Sequence, residues 1–334
     1  MVKNKYSATV IGLGNIGLLY DLDKLNDSKY FLSHTKSLFF HNKFEIKFLI
    51  DNDSKKLALA KKIYGDKIIY LDSLSPSYEP TDIIVLSSIP NVNSSYLDKL
   101  KSSKKVKLFL LEKPFLNKNR KFSIYKKIVD KTYVNYFRKS LPFFKNLKKN
   151  IDTNDYGDLV AVNIYYSKGL KNNGSHLIDL MNFLFGSSFN TNSIKIINYK
   201  NDYHQEDSSV SFSVDYLYNS KFSSIVFHAL DERNYSLIEI DLIFGSKRFR
   251  IFDSGGKIEL YSVENDKVFS GYKNIYPHEI VDSDINLYGI HTLDTIYNIL
   301  EGNEKNFSTL KEEYETQKLK EAVIVKLNNF KKNE

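Results

Sequence analysis

The 334 residues, 42% hydrophobic and 26% charged, suit two folded domains and exclude a disordered chain. The absence of cysteine excludes disulfides, thiolate catalysis and cysteine zinc sites. No apolar run reaches the roughly 18–20 residues that cross a bilayer, so we expect a cytoplasmic protein without a membrane partner. The net charge of +8 comes from lysines scattered among 40 acidic residues, so no nucleic-acid partner is expected. The alternative is that the lysine-rich segment 99–107 binds nucleic acid or another acidic polymer.

The first half of the chain alternates short β-branched runs with stretches of helical spacing. Strands are predicted at 7–11, 44–50, 67–70, 82–87, 107–111 and 132–136. Helices are predicted from Ile16 onward and at 54–64, 94–101 and 122–131. This alternation predicts an α/β fold, a Rossmann parallel sheet covered by helices on both faces.

The second half has longer strands with apolar residues at every second position, as in Val210, Phe212, Val214 and Tyr216. Strands are predicted at 159–166, 209–218, 222–228 and 236–244, and helices at 175–185, 287–300 and 310–326. This pattern predicts an α+β domain with an open, mainly antiparallel sheet. The polar stretch 146–155 is interpreted as a loop near the boundary, which gives domains of 1–137 and 138–334.

Gly12, Gly14 and Gly17, with Asn15 and Ile16 between the last two, form a G-x-G-x-x-G fingerprint. Such glycines allow a tight turn and bring backbone N–H groups close to a pyrophosphate. A glycine turn without a ligand is the alternative. The position directly after a predicted strand favours a dinucleotide cofactor.

Asp51 ends the second predicted strand, where an acidic side chain accepts hydrogen bonds from the adenosine ribose and repels a 2′-phosphate, so NAD is expected over NADP. The usual gap from the fingerprint is about 20 residues. The longer gap here implies an insertion, which we assign to the polar segment 20–33. Asp53 is an alternative for the same role, or a cap of the following helix.

Lys113 follows the fifth predicted strand, and ligands of open parallel sheets bind beyond the carboxyl ends of strands. An ammonium next to a nicotinamide suits holding a substrate hydroxyl and favouring its deprotonated form during hydride removal. The alternative is a surface lysine in a charged loop.

His176 and Asp179 are three residues apart and lie on one face of the helix predicted to start near Ser175, its expected N-cap. In that arrangement Asp179 orients the imidazole or binds substrate while His176 passes a proton. The alternative is a histidine near a helix start beside an exposed aspartate.

Three motifs occur together: the glycine fingerprint, Glu112-Lys113-Pro114 after the fifth strand, and Gly174-x-His176-x-x-Asp179 on the helix that opens the second half. Jointly they resemble the glucose-fructose oxidoreductase/inositol dehydrogenase/MocA (Gfo/Idh/MocA) family over nearly the whole chain. The resemblance implies an NAD(P)-dependent dehydrogenase or reductase of sugars that forms a homodimer or homotetramer through its open sheet. Residues 166–186 resemble most the branch from bacterial surface-polysaccharide pathways, which implies a nucleotide-linked or otherwise activated sugar.

The resemblance also implies roles for single residues. Lys113 contacts cofactor and substrate, His176 is the acid/base and Asp179 a substrate ligand. Cofactor contacts are expected from Glu112 and, after the fourth strand, from Ser88 and Asn93. Asn93 stands in place of a histidine that is common in the family. The contacts to the nicotinamide or its ribose are therefore expected to differ from those of the family. Further substrate contacts are expected from Arg138, Tyr166, Lys168 and Asn173, with strand packing of Tyr166 and a solvated Lys168 as equal alternatives.

The expected reaction is reversible hydride transfer between a sugar carbinol carbon and C4 of the nicotinamide. His176 exchanges the hydroxyl proton, and Lys113 polarises the same oxygen. The alternative function is a non-catalytic NAD-binding sensor or scaffold, against which Lys113, His176 and Asp179 argue together. No metal site is expected, because the seven histidines are dispersed.

Overall fold

The computed structural model describes residues 5–75, 78–116, 121–201 and 207–333. The chain forms two compact units. The first comprises Met1–Ser140 and Asn286–Tyr314, and the second comprises Leu141–Ile285 and Glu315–Glu334.

The first unit contains a six-stranded sheet in which all neighbouring strands are parallel. Its strands are β1 (Tyr6–Ile11), β2 (Phe44–Ile50), β3 (Ile69–Leu71), β4 (Ile83–Leu86), β5 (Leu108–Leu111) and β6 (Thr132–Val134). The order β3-β2-β1-β4-β5-β6 is that of a doubly wound dinucleotide-binding sheet. Every residue of β4 and β5 is buried, as expected for strands covered on both faces. The predicted Rossmann sheet is confirmed.

Helices pack on both faces of this sheet and form a hydrophobic core on each side. They are α1 (His34–Phe40), α2 (Ser54–Tyr64), α3 (Pro90–Leu100), a 3-10 helix (Phe122–Lys131) and, returning from the end of the chain, α6 (Tyr288–Leu300). One core contains Leu38 of α1 and Leu293 of α6, and the other contains Leu97 of α3. The segment before α6 therefore returns the chain to the first unit.

The helix predicted from Ile16 is wrong. A single turn follows the glycines, in which the Leu18 N–H donates to the Gly14 carbonyl (2.8 Å), and a 3-10 helix (Leu19–Lys24) comes next. The insertion 20–33 separates this turn from α1, whose first N–H, at His34, donates back to the Ile16 carbonyl (2.9 Å). The apolar spacing at 16–19 predicted a longer helix because it cannot show where an insertion interrupts one.

The second unit contains an eight-stranded sheet. Its strands are β7 (Leu159–Tyr166), β8 (Phe189–Asn201), β9 (Ser208–Tyr218), β10 (Lys221–Ala229), β11 (Ile238–Phe244), β12 (Lys247–Phe252), β13 (Lys257–Asn265) and β14 (Lys273–Asp282). In the order β14-β13-β12-β11-β7-β10-β9-β8, only the neighbours β7 and β10 are parallel. The predicted open, mainly antiparallel sheet is confirmed.

Three helices accompany this sheet: α4 (Pro142–Asp152), α5 (Ser175–Phe185) and α7 (Leu310–Asn333). The part of α7 from Glu315 onward belongs to the second unit. The loop predicted at 146–155 is wrong, because α4 covers most of it. Pro142 begins that helix, and Phe144, Leu147 and Ile151 bury one helical stripe. No helix within the described ranges has the length and apolar character of a membrane span.

Candidate active site

A cleft of about 680 Å³ lies at the carboxyl end of the six-stranded sheet. The loops after β1, β2 and β4 form it. In open α/β sheets this edge, at the point where the strand order reverses, is where ligands bind. The cleft is lined by Ile11, Gly12, Gly14, Ile50, Asp51, Asn52, Lys56, Ser87, Ser88, Ile89, Pro90, Val92 and Tyr96.

The fingerprint glycines have different surroundings. Gly12 has a positive φ of 97°, and a Cβ there would lie 2.6 Å from the Ser88 nitrogen. A Cβ on Gly17 would lie 2.0 Å from the Gly12 carbonyl oxygen. A Cβ on Gly14 would have no heavy atom within 4 Å. Gly12 and Gly17 are therefore required by packing, whereas Gly14 leaves space at the cleft.

Asp51 supports the glycine loop from the end of β2. Its Oδ2 accepts the Leu13 N–H (2.6 Å), and its Oδ1 accepts the Asp53 N–H (2.9 Å). The ammonium of Lys56, also in the cleft wall, is 3.8 Å from Asp51 Oδ2. Asp53 accepts the Lys55 N–H (2.9 Å) and caps α2, which is the structural role foreseen for it.

Ser88 lines the cleft, and Asn93 shapes the turn that carries it. The Asn93 amide accepts the Ser88 N–H (3.0 Å) and donates to the carbonyls of Ser88 (2.9 Å) and Leu86 (3.2 Å). Asn93 is buried in α3, and its described hydrogen bonds all go to backbone atoms. The contact with a cofactor expected of Asn93 stays a prediction.

Beyond β5 and β6, Glu112 accepts two hydrogen bonds at one oxygen. Its Oε1 is 2.7 Å from His34 Nε2 and 2.7 Å from Asn135 Nδ2. Lys113 follows Glu112 and is half-buried. Sequence reasoning did not select His34 or Asn135 as site residues. The insertion 20–33 separates His34 from the fingerprint, and only the order of β5 and β6 brings Asn135 to Glu112.

Arg138 lies in a 3-10 helix (Phe137–Ser140) of the first unit and is only 6% exposed. Its guanidinium carbon is 4.9 Å from the centre of the Phe137 ring, whose other contacts include stacking with Tyr288 at 4.5 Å. Burial lowers the pKa of Arg138 to about 10, so the side chain stays charged at neutral pH. The Tyr288 hydroxyl donates to the Leu32 carbonyl and so contacts the insertion.

In the second unit, His176 lies in the first turn of α5, and Asp179 follows three residues later. A π-helical turn (Gly169–Gly174) runs directly into this helix, so the prediction of Ser175 as its N-cap is wrong. Ser175 is helical, and its hydroxyl donates to the Asn172 carbonyl (2.8 Å). A Cβ on Gly174 would lie 3.2 Å from the Tyr166 ring, which explains a glycine two residues before His176.

Asp179 is 3% exposed, which contradicts the alternative of an exposed surface aspartate. Thr316 of α7 donates to Asp179 Oδ1 (3.4 Å) and receives a hydrogen bond from Asn182 (3.3 Å). The Tyr216 hydroxyl donates to Asn182 (2.8 Å), and burial, with Asp179 nearby, raises the pKa of this tyrosine. Asp179 is thus part of a buried polar network, while His176 is half-buried.

The remaining expected substrate contacts differ in exposure. Tyr166 is buried, and its hydroxyl donates to the Val210 carbonyl (2.8 Å) and accepts the Val210 N–H (2.9 Å), as its strand-packing alternative required. Lys168 is exposed at a left-handed φ of 64°. Asn173 is half-buried in the π-helical turn. Among the described residues, no group of three or more His, Asp or Glu side chains is arranged to hold a metal ion.

No protein-family model matches the chain, and no curated protein matches it. Solved structures do match. An oxidoreductase from Agrobacterium radiobacter, solved with NAD+, L-tartaric acid and magnesium, is 13% identical with a TM-score of 0.70 over 98% of this chain and 97% of that one. The WlbA dehydrogenase from Bordetella pertussis, solved with NADH and UDP-GlcNAcA, is 15% identical with a TM-score of 0.68 over 98% and 97%.

A super-repressor mutant of Gal80p from Saccharomyces cerevisiae is similar to the same extent, with 14% identity and a TM-score of 0.71 over 96% of this chain and 95% of that one. At these identities the similarity shows a shared fold. It extends over nearly the full length of each chain, so it includes both sheets.

Proposed function

We propose that this protein is a nicotinamide-dependent oxidoreductase that transfers a hydride between the cofactor and a hydroxyl or ketone of a sugar or nucleotide-linked sugar. The observation that carries the proposal is the cleft, in which Gly12 and Gly17 form a tight loop, Gly14 leaves open space, and Asp51 ends β2. The similarity to solved oxidoreductases with bound NAD+ or NADH supports it.

The residues of the cleft fit a dinucleotide. The pyrophosphate would lie against the loop from Gly12 to Gly17, and the adenosine ribose would lie at Asp51. Asp51 gives two acceptor positions to Leu13 and Asp53, and an ionised carboxylate has about four, so ribose hydroxyls still find acceptors. Its charge disfavours a 2′-phosphate, so we propose NAD as the preferred cofactor.

The cofactor supplies hydride exchange at C4 of the nicotinamide, and the protein supplies position and proton transfer. We assign to the Lys113 ammonium the polarisation of the substrate oxygen. His176, a half-buried residue near the start of α5, exchanges the hydroxyl proton. Asp179 binds substrate or orients His176 from within its network with Thr316.

A nucleotide-linked sugar is the proposed substrate class. The WlbA dehydrogenase was solved with UDP-GlcNAcA, and the net charge of +8 suits an anionic substrate. A cytoplasmic location is part of the same proposal.

A second candidate is a non-catalytic NAD-binding regulator. The observation that favours it is the similar fold of a protein described as a super-repressor mutant of Gal80p. The two candidates share the cleft and differ in turnover. A regulator has no requirement for Lys113 or His176, whereas the enzyme needs both.

The test is nicotinamide absorbance in the presence of NAD or NADH and a panel of free sugars, inositols and nucleotide-linked sugars with their keto forms. We expect turnover with one class and a loss of about 100- to 10,000-fold in His176→Ala, since that is the range for positioned proton transfer. Lys113→Ala should also lose turnover, and Lys62→Ala, at an exposed position of α2, is the matched control. Full turnover in both His176→Ala and Lys113→Ala would contradict the roles, and NADH binding without turnover would favour the regulator.

A further inference from the structure

We propose that Asn135 binds the nicotinamide carboxamide through its side-chain oxygen, and that the His34–Glu112 pair fixes the direction of that oxygen. The proposal rests on the proposed function, because it concerns the nicotinamide end of the same cofactor. It assigns a ligand, a primary amide, to a residue outside the Gly12–Gly17 loop and the Glu112-Lys113 pair.

The hydrogen bonds of Glu112 determine how the Asn135 amide is oriented. An ionised carboxylate only accepts, so the group of Asn135 at 2.7 Å from Glu112 Oε1 is the NH₂. His34 Nε2 approaches the same oxygen at 2.7 Å and donates to it. The pair therefore excludes the flipped amide, in which two acceptor oxygens would face each other, and directs Asn135 Oδ1 away from Glu112.

Asn135 Oδ1 has an acceptor position that the described residues do not fill. The side chain is 3% exposed, the oxygen is buried, and it makes no hydrogen bond within the described part of the chain. Buried polar atoms nearly always have a hydrogen-bond partner, because an unpaired one loses its hydration without compensation. A bound molecule with an N–H donor would supply that partner.

The sheet places Asn135 in the half that suits nicotinamide. Its backbone N–H donates to the Leu111 carbonyl (2.8 Å), so it lies directly beyond the carboxyl ends of β5 and β6. Asp51 and the glycine loop lie at β2 and β1, on the other side of β4. A dinucleotide spans the two halves of such a sheet, so its second mononucleotide meets β4, β5 and β6. The carboxamide NH₂ is the N–H donor that nicotinamide carries.

The experiment compares the binding of NAD+ with that of its 3-acetylpyridine analogue, in which an acetyl group replaces the carboxamide and no N–H remains. Calorimetric titration of the unaltered protein should show a preference for NAD+ of about 2- to 10-fold, the worth of one net hydrogen bond. Asn135→Ala should abolish the preference by weakening NAD+ alone. The comparison in the unaltered protein needs no variant to fold.

His34→Ala should reduce the preference as well, because Glu112 then loses the second hydrogen bond that holds its carboxylate oxygen against Asn135. The matched control is His41→Ala. His41 follows the other end of α1 and pairs with a carboxylate in the same way, through Nε2 to Asp294 Oδ1 at 3.0 Å. A loss of general stability would appear in both variants, whereas a change in the NAD+ preference should appear only in His34→Ala.

The experiment distinguishes a failure of the proposed function from a failure of the role proposed for Asn135. If neither dinucleotide binds, the proposed function is wrong and this inference fails with it. If both bind equally to the unaltered protein, or if Asn135→Ala keeps the preference, the cofactor binds without this contact and only the inference is overturned.

Discussion

Gly14 and Gly17 belong to one fingerprint but meet different surroundings. The Gly12 carbonyl oxygen excludes any side chain at Gly17, whereas Gly14 has open space where a Cβ would be. A sequence motif cannot separate these roles. The structure therefore distinguishes a glycine that the fold needs from one that leaves room for a ligand.

We expect Gly17→Ala to lower the free energy of unfolding by about 1–3 kcal/mol, because the added methyl group must displace the backbone of Gly12. Gly14→Ala should unfold at nearly the same temperature as the unaltered protein but bind NADH more weakly, since its methyl group enters the cleft. Thermal unfolding and NADH titration of both variants check this. Equal destabilisation, or full NADH affinity in Gly14→Ala, would contradict it.

Several site residues could be predicted at this scale, and others could not. Gly12, Gly14 and Asp51 line the cleft and stand at positions that a strand and a turn fix locally, so the sequence pattern could indicate them. His34 and Asn135 reach Glu112 only through tertiary contacts. Tyr166 precedes the polar loop in sequence, yet the alternation of β7 directs it into the core.

At the scale of elements, the insertion 20–33 is a packed loop with its own polar anchors. The buried ammonium of Lys36 donates to the carbonyls of Lys24, Asp27 (2.9 Å) and Tyr30 (2.6 Å). The buried carboxylate of Asp21 accepts the N–H groups of Leu32 and Ser33. The Lys36 bonds join the loop to α1, the helix that carries His34, and the Asp21 bonds join the beginning of the loop to its end.

Lys36→Met should lower the free energy of unfolding by about 2 kcal/mol or more, because three carbonyl oxygens lose a charged donor. Lys29→Met, an exposed position in the same loop, is the control and should change little. Urea unfolding measures both. Equal stability of the two variants would show that the Lys36 contacts do not hold the loop.

Asp82, just before β4, is hydrogen-bonded to Ser7 of β1, and this contact should make the stability of the folded protein depend on pH. It accepts hydrogen bonds from the Ser7 N–H (2.9 Å) and hydroxyl (2.6 Å), and the Lys107 ammonium is 3.2 Å away. Burial acts to raise the pKa of Asp82, but the bonds from Ser7 and Lys107 outweigh it and hold the pKa below the ordinary value. Its stabilisation is therefore present above the unfolded pKa of about 4 and is lost as pH falls through the lower folded value.

Asp82→Asn should accordingly lower the melting temperature at neutral pH, and the difference from the unaltered protein should shrink below about pH 4. Melting curves measured across that range provide the check. A difference that stays constant with pH would mean that the charge of Asp82 does not contribute.

At the scale of the whole molecule, the eight-stranded sheet has an outward face with partly exposed apolar groups. Tyr165 stacks on His228 there (4.8 Å), and Leu217 and Phe222 are exposed on β9 and β10. A cavity of about 270 Å³ beside Tyr165 is bordered by the ion pair of Arg248 and Asp241. Such a mixed apolar and charged face suits association with a second copy.

We expect light scattering after size exclusion to give a mass of two or four times 38.8 kDa. Phe222→Asp should lower that mass, because it places a charge among the exposed apolar groups of this face. A monomer at micromolar concentration, or an unchanged mass in the variant, would contradict the role of this face.

The class of both sheets could be predicted because their central strands have clear patterns: continuous burial in β4 and β5, apolar residues at every second position from Val210 to Tyr216 in β9, and alternating burial in β11. Four strands of the second sheet, β8, β12, β13 and β14, were not predicted; the residues of β14 are mostly exposed and have no hydrophobic period. α4 was missed because lysines and asparagines between Phe144, Leu147 and Ile151 hide its buried stripe. Edge elements depend on neighbours that sequence does not show.

The central claim is hydride transfer between nicotinamide and a sugar, and isotope transfer tests it most directly. The protein is given NADH that carries deuterium at both hydrogen positions of the nicotinamide C4, together with the keto forms of nucleotide-linked sugars, and the masses of the products are measured by mass spectrometry. We predict a reduced sugar that carries one deuterium on the new carbinol carbon. Bound NADH that leaves every sugar unreduced, or a reduced product without deuterium, would contradict the proposed function.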